Sequence, residues 1–383
     1  MIKSGYVGFL ILVSMMIIFF ALPDPEGLQK PFRVILGLSF AVIYFALLIK
    51  KELSLRTLWP LAIGGFLIII TILRGTFQTC LINIYLCMFG LLCLPHLFFN
   101  LTPIRKTNLN YIHVICILSL ILQFFFYSSG DGRPKLAYEI NLSGAYLFLF
   151  FIASDILNNK HGKLLVIVLS LFTLSRLLIF SILLYYLIKY SKKYFQSLLK
   201  KLNATSLIIA SYIFIAFFSF WYVVSVKSAI DYDTSINRIA TLNDGSNKLR
   251  FLANTMAIAS IYKDPLSAKT LFGSGSVENF IKESKKALII PHNELLDAII
   301  EFGLVMVIFF AFFSFPFFDK VISYSNVEYL IPILFYTLIL WVRFILVPSF
   351  EMIFILFVLN IVNQQNLLPE TNLKQNEAGY TGL

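Results

Sequence analysis

Long apolar runs, separated by short polar breaks, fill most of this 383-residue sequence. A helix needs about 20 mostly apolar residues to cross a bilayer, and a backbone inside hydrocarbon must satisfy its own hydrogen bonds. The runs lack the alternation with a period of two that indicates strands. We therefore predict an all-α polytopic membrane protein, with apolar runs at about residues 5–22, 32–49, 57–73, 79–99, 109–127, 140–157, 164–190, 204–226, 301–318, 328–346 and 348–362.

The run at 164–190 is longer than one crossing needs, and Ser175-Arg176 interrupts it. It is either one long tilted helix or two short helices. Basic residues gather on the cytoplasmic side of membrane proteins, and the basic breaks can all lie on that side only if this run crosses twice. The pattern predicts about twelve crossings with both chain ends inside, and inner breaks at Lys50-Lys51, Arg105-Lys106, Lys160 to Lys163, Lys189 to Lys201 and Lys320.

The segment from Ala229 to Ile300 is the one long stretch too polar for hydrocarbon. The same distribution of basic residues places it outside. The predicted organisation is nine membrane helices in 1–227, a long outer loop containing short helices at 228–300, three more membrane helices in 301–362 and a solvated, disordered tail at 363–383.

Within this outer loop, apolar residues recur on one helical face from Asn247 to Tyr262, and the pattern stops at Lys263-Asp264-Pro265. This spacing predicts a helix lying on or near the membrane. Arg250 stands near its start.

Composition agrees with a membrane protein, since only 13% of the residues are charged against about a quarter in globular domains. The net charge of +11 sits mostly in short clusters between apolar runs, which is the pattern of membrane topology rather than of nucleic-acid binding. The sequence carries no Walker motif and no paired histidines, so we expect neither a cofactor nor a metal site. The four cysteines lie in apolar runs and are expected to act as small hydrophobes, at Cys80, Cys87, Cys93 and Cys116.

The outer loop closes with His292 and Asn293, on the turn that enters the apolar run Leu295 to Phe313. An imidazole titrates near neutral pH, so His292 is suited to act as a general base for a hydroxyl. Asn293 is a good N-cap. Asp297 and Glu301 follow it at intervals of four residues, which predicts one shared helix face.

Basic side chains on the same side are candidates for holding an anion. Arg176 lies within an apolar run, where an ionisable group usually faces a bundle interior or a water-filled cavity; simple snorkelling of this side chain is the alternative. The other candidates belong to outer segments, where ordinary solvated loop charges are the alternative, and comprise Arg133, Lys135, Arg238 and Arg250, with the polar Asn141 beside the first two.

Residues 291–303 form the pattern Pro-His-Asn-x-Leu-Leu followed by Glu301 and Gly303, which resembles the signature of the O-antigen ligase and O-antigen polymerase superfamily. Further elements similar to that family occur in the same order, namely Asn141 to Tyr146, Thr173 to Arg176, the helix of Arg250 ending at Lys263-Asp264-Pro265, and Leu271 to Gly275.

This resemblance implies a bacterial inner-membrane enzyme, with its active site facing the periplasm, that transfers a glycan from undecaprenyl pyrophosphate with inversion and without a metal. His292 would be the base. Partners implied are membrane lipid and a chain-length regulator and flippase of the same pathway, with no nucleic acid. The implied residues for pyrophosphate or glycan are Arg176, Arg250, Arg133, Arg238, Lys135, Asn293, Glu301 and Asn141.

The polymerase and ligase interpretations differ in the acceptor of the glycan. A polymerase extends another lipid-linked repeat and is slightly favoured, because the loop from Asp131 to Asn141 is similar to polymerase versions; a ligase delivers the glycan to lipid A-core. A lipid-linked oligosaccharide flippase is an alternative of another class, and a non-catalytic sensor or scaffold is a further one.

Overall fold

The computed structural model describes residues 30–98, 140–156, 158–173, 176–194, 205–210, 245–275, 294–321 and 347–350, together with isolated positions. Throughout these residues the regular structure is helical and no strand occurs. The all-α prediction is therefore confirmed for that part of the chain. The predicted helices at 5–22, 109–127 and 328–346, and the tail at 363–383, fall almost entirely outside it.

Most of the described residues belong to helices joined by short connections. Their bounds are α1 (Lys30–Ile49), α2 (Leu58–Leu73), α3 (Cys80–Phe98), α4 (Ile140–Ile156), α5 (Lys160–Thr173), α6 (Arg176–Ser191), α7 (Gly245–Lys263), α8 (Ala268–Phe272), α9 (Glu294–Phe302) and α10 (Leu304–Val321), with a 3-10 turn at Leu55–Thr57 before α2.

Among the described helices, two stretches are long and apolar enough to cross a membrane, Pro31–Ile49 and Leu55–Leu73. Both expose large apolar side chains, including Val42 in α1 and Phe66 in α2. In water such exposure is costly, whereas lipid tails solvate it.

Helices α1 and α3 pack closely because small residues stand at their contact. A Cβ at Gly37 would lie 2.6 Å from the Cβ of Leu86, and a Cβ at Gly90 would lie 2.9 Å from the ring of Phe40. Cys93 is fully buried in the same contact. The prediction that it acts as a small hydrophobe is confirmed.

The stretch at 164–190 contains two helices, so the alternative of one long helix is wrong. Asp155, near the end of α4, accepts a hydrogen bond from Lys163 at 2.7 Å and another from Lys189. The start of α5 and the end of α6 therefore lie at the same end of α4, and α5 and α6 run antiparallel. At 1.5 Å per residue they are about 21 and 24 Å long, shorter than the roughly 30 Å hydrocarbon core.

The structure also divides the predicted helix from Leu295 to Phe313. Gly303 has a φ of 87°, a left-handed conformation that ends a right-handed helix. Its N–H still bonds the carbonyl of Ile299 at 2.9 Å, and its own carbonyl accepts from Val307 at 3.1 Å. The chain therefore turns at Gly303, with α9 before it and α10 after it.

Helix α10 is about 27 Å long by its residue count, and its two ends touch different segments. At its start, a Cβ on Gly303 would lie 2.4 Å from the nitrogen of Gly273. At its end, the carboxylate of Asp319 accepts from the backbone N–H of Thr205 at 3.1 Å and from its hydroxyl at 2.5 Å. The segment around 273 and the helix beginning near 205 thus lie at opposite ends of α10.

Candidate functional site

Residues Phe272 to Gly275 form a turn, here named the glycine turn, that is bonded to the end of α9. The backbone N–H and the hydroxyl of Ser274 both donate to the carbonyl of Ile300 at 2.9 Å, and the N–H of Gly275 donates to the carbonyl of Glu301 at 3.2 Å. The last carbonyls of a helix have no partner within the helix. The glycine turn supplies those partners and so fixes itself to α9.

The close approach requires glycine on both sides. Gly273 has a φ of 81°, and a Cβ there would lie 2.3 Å from the carbonyl oxygen of Glu301. Gly303, opposite it, is subject to the same restriction. Gly275 brings the turn against a third segment, because its Cβ would lie 3.0 Å from the carbonyl oxygen of Thr76, in the α2–α3 connection.

A short capped helix leads into the glycine turn. Helix α7 ends at Lys263, as the sequence predicts, and Ser267 caps α8 by accepting from the N–H of Thr270 at 3.2 Å. The buried hydroxyl of Thr270 donates to the carbonyl of Asp264 at 3.0 Å. This corner holds α8 in a fixed orientation after α7.

The apolar face of α7 packs on α9; that this helix also lies on or near the membrane stays a prediction. Fully buried Ala257 forms a cluster with Leu296 and Ile300 of α9. Asn254 of α7 and Asp297 of α9 are also buried, and each takes part in a polar interaction. Helix α9 is therefore held by α7 as well as by the glycine turn.

The predicted site residues are distributed unevenly over the described part. Glu301 is half-buried in α9, which it shares with Asp297 as their spacing predicts, and Arg250 lies in the second turn of α7. Because α9 begins at Glu294, Asn293 directly precedes it. The remaining predicted residues of the long loop and of the loop before α4 lie outside the described residues, namely His292, Asn293, Arg133, Lys135 and Arg238.

Asn141 and Arg176 lie at the same end of the cluster formed by α4, α5 and α6. Arg176 is the first residue of α6 and Asn141 the second of α4. Since the opposite ends of α4, α5 and α6 meet at Asp155, each of these two positions lies about 20 Å along its helix from that carboxylate. The contacts of both side chains, like those of Arg250, lie outside what the structure describes.

Two polar features of the structure were not predicted from the sequence. The first is Arg74, whose guanidinium lies over the ring of Phe272 with 5.3 Å to the centroid. It is the first basic residue after the apolar run at 57–73, and it falls on the predicted outer side, where basic residues are scarce. A basic residue in a short outer connection is an exception to the charge pattern, and this exception could have identified Arg74 from the sequence.

The second is the cluster around Asp155, which is buried and accepts hydrogen bonds from Lys163, Lys189 and the hydroxyl of Tyr185. The hydrogen bond that Lys163 donates to Asp155 raises the pKa of Lys163 above its usual value. The sequence could have indicated this cluster, because Asp155 is a carboxylate inside an apolar run. The sequence predicts Lys163 and Lys189 only as cytoplasmic topology residues, whereas in the structure they also neutralise a buried charge.

Comparison with known proteins gives no match of any of three kinds: no family model, no curated protein and no solved structure matches this chain.

Proposed function

We propose that this protein is a membrane glycosyltransferase that polymerises lipid-linked glycan repeats. It would transfer a glycan from undecaprenyl pyrophosphate to a sugar hydroxyl of another lipid-linked repeat. The observation that carries the proposal is the assembly around α9. The glycine turn and the helix of Arg250 both pack on the helix that His292 and Asn293 directly precede. Three segments that are separate in the sequence, and that share the family resemblance, thereby become neighbours.

The proposed membrane arrangement has about twelve crossings, with both ends inside and the loop at 228–300 in the periplasm of a bacterial inner membrane. The contacts of α10 support it. Gly273 and Thr76, both assigned to the outer side by charge, belong to segments that meet near the start of α10. Asp319 and Thr205, both assigned to the inner side, meet at its end. The antiparallel pair α5 and α6 supports a double passage through 164–190.

In the proposed reaction, the acceptor hydroxyl oxygen attacks the anomeric carbon from the side opposite the leaving group, which inverts the configuration. His292 takes the hydroxyl proton as the carbon–oxygen bond forms. The bond from the anomeric carbon to the diphosphate oxygen breaks, and undecaprenyl pyrophosphate leaves with the electron pair. General base catalysis of this kind contributes about 10²- to 10⁴-fold.

Arginines suit the leaving group, because a guanidinium stays charged and presents a fork of donors that matches phosphate oxygens. Arg250 and Arg176 are the proposed main contacts, with Arg133, Arg238 and Lys135 as further ones. Asn141, Asn293 and Glu301 are proposed to bind the glycan. In a partly dry site such contacts stabilise developing charge more than they would in water.

The experiment that tests the activity class is a gel analysis of glycolipids in a strain from which the gene is deleted. Loss of a polymerase leaves lipid A-core carrying a single repeat. Loss of a ligase leaves bare core and accumulated lipid-linked polymer, and loss of a flippase traps single repeats on the inner face. The proposal predicts the first pattern, restored by the wild-type chain and not by His292→Ala at equal protein level.

A further inference from the structure

The side chain of Arg74 is held in place beside the glycine turn. Arg74 caps the end of α2, where its backbone N–H bonds the carbonyl of Ile70 at 3.0 Å. Its guanidinium lies 5.3 Å from the centroid of the Phe272 ring, which attracts a cation through its negative face. Since Gly273 and Gly275 fix the turn against α9 and Thr76, the ring and the guanidinium share one rigid support.

This guanidinium has no acceptor in the protein among the residues that the structure describes. No hydrogen bond or ion pair of its side chain occurs there, and its Nη1 atom is buried from solvent without a partner. A guanidinium carries five N–H donors and stays charged at any physiological pH. Leaving the buried Nη1 donors without acceptors is unfavourable, so an anion that supplied acceptor oxygens to them would gain more here than at an exposed arginine.

The backbone next to this side chain is exposed and is not covered by the other residues that the structure describes. Gly75 follows it with a φ of 66°, and a Cβ there would meet no atom within 4 Å. The other side of the connection is closed, because the carbonyl of Thr76 meets the glycine turn. The connection after Arg74 is therefore open at Gly75 and covered at Thr76, among the described residues.

The location of Arg74 in the chain indicates which anion it would meet. It directly follows the apolar stretch Leu55–Leu73, which is long enough to cross a membrane. A residue at the end of such a helix lies at the depth of lipid headgroups, where the common anion is a phosphate ester. The fork of the guanidinium matches phosphate oxygens in a bidentate arrangement.

We propose that Arg74, supported by Phe272, binds a phosphate group of a membrane lipid at the outer end of α2. Two lipids carry this chemistry there: the diphosphate of a prenyl-linked glycan and the headgroup of an anionic phospholipid. The first source rests on the proposed function, and the second does not.

The test measures lipid binding by the purified full-length protein in detergent. The probes are undecaprenyl diphosphate, phosphatidylglycerol and undecaprenol, which shares the prenyl chain of the first and lacks phosphate. The variants are Arg74→Met, which keeps an apolar side chain over Phe272, and Arg74→Lys, which keeps the charge without the fork. Arg56→Met, at an exposed arginine in the turn before α2, is the matched control.

Arg74→Met is expected to weaken binding of undecaprenyl diphosphate by roughly 10- to 100-fold, the range for losing a charge-assisted hydrogen bond. Arg74→Lys should lose less affinity, and Arg56→Met should bind like the wild type.

The probes distinguish the two lipids. If Arg74→Met weakens binding of phosphatidylglycerol equally, the bound group is a phospholipid headgroup. If only binding of undecaprenyl diphosphate is weakened, the bound group is the diphosphate of the glycan donor. Wild-type affinity of Arg74→Met for both phospholipid and diphosphate overturns the inference. If lipid binding depends on Arg74 but the protein makes no glycan, this inference stands and the proposed function is wrong.

Discussion

Ser274 donates two hydrogen bonds to the carbonyl oxygen of Ile300, one from its backbone N–H and one from its hydroxyl, each at 2.9 Å. Both atoms are buried at the end of α9. Most of this attachment uses backbone atoms, so it depends on how closely the two chains approach. The glycines beside Ser274 and opposite it therefore determine whether the glycine turn can remain on α9.

Gly273→Ala should destabilise the protein more than Gly75→Ala. Both glycines have a positive φ, which costs roughly 1–2 kcal/mol for an L-residue. Only at Gly273 would the new methyl group also lie 2.3 Å from a backbone oxygen, that of Glu301, whereas at Gly75 it meets open space. Thermal unfolding of the purified variants measures the difference. Equal losses of unfolding temperature would mean that the turn does not pack on α9 as described.

Asp155→Ala should destabilise the protein strongly, because it leaves the ammonium groups of Lys163 and Lys189 together without their buried carboxylate. Because the side chains of Lys163 and Lys189 are 24% and 38% exposed, water can solvate them, and we expect a loss of about 1.5–3 kcal/mol, the range for hydrogen bonds to a charged group. Asp319→Ala is the matched control, since Asp319 also accepts two hydrogen bonds but is exposed; we expect about 1 kcal/mol there. Chemical unfolding in mixed micelles measures the free energy of unfolding of both variants. Similar losses of this free energy would contradict the claim that burial makes Asp155 the more important carboxylate.

The contribution of Lys163 should disappear at alkaline pH. Its pKa is raised in the folded protein by the hydrogen bond that it donates to Asp155, so the charged form is favoured by folding. The resulting stabilisation is fully present below the unfolded pKa of about 10.4 and is lost as pH rises through the folded pKa. The difference in unfolding temperature between wild type and Lys163→Met should stay constant from about pH 7 to 9 and shrink above about 10.4. A difference that grows with pH would show the opposite linkage.

The sequence predicts some of these features because their causes are local. Helix α7 ends at Lys263 because Pro265 follows closely. The division of the run at 164–190 also follows from where its basic flanks must lie. Each of these depends on a few neighbouring residues.

Other features depend on contacts between distant segments. The turn at Gly303 is stable because Gly273 packs against it, and a single glycine in an apolar run does not reveal such a partner. Asp155 meets Lys189 only because α5 and α6 turn back on α4. The ring that supports Arg74 lies almost 200 residues later in the chain, beyond the reach of any local pattern.

Cysteine labelling tests the proposed sidedness. Leu266→Cys, at a largely exposed position in the long loop, should react with a membrane-impermeant maleimide in intact spheroplasts. Lys193→Cys, exposed after α6, should react only after permeabilisation, because positive-inside topology places it in the cytoplasm. The unaltered chain provides the background of the native cysteines. Reaction of both positions from one side would contradict the twelve-crossing arrangement.

The central claim is that this chain transfers a lipid-linked glycan with His292 as the base. The most direct measurement is chain extension by the purified protein in nanodiscs supplied with an undecaprenyl pyrophosphate-linked repeat. His161→Ala serves as the control, because His161 is exposed at the start of α5. The wild type and His161→Ala should extend the glycan, and His292→Ala should be slower by at least about 10²-fold at an unchanged unfolding temperature. Extension by His292→Ala at the wild-type rate, or no extension by the wild type, would contradict the claim.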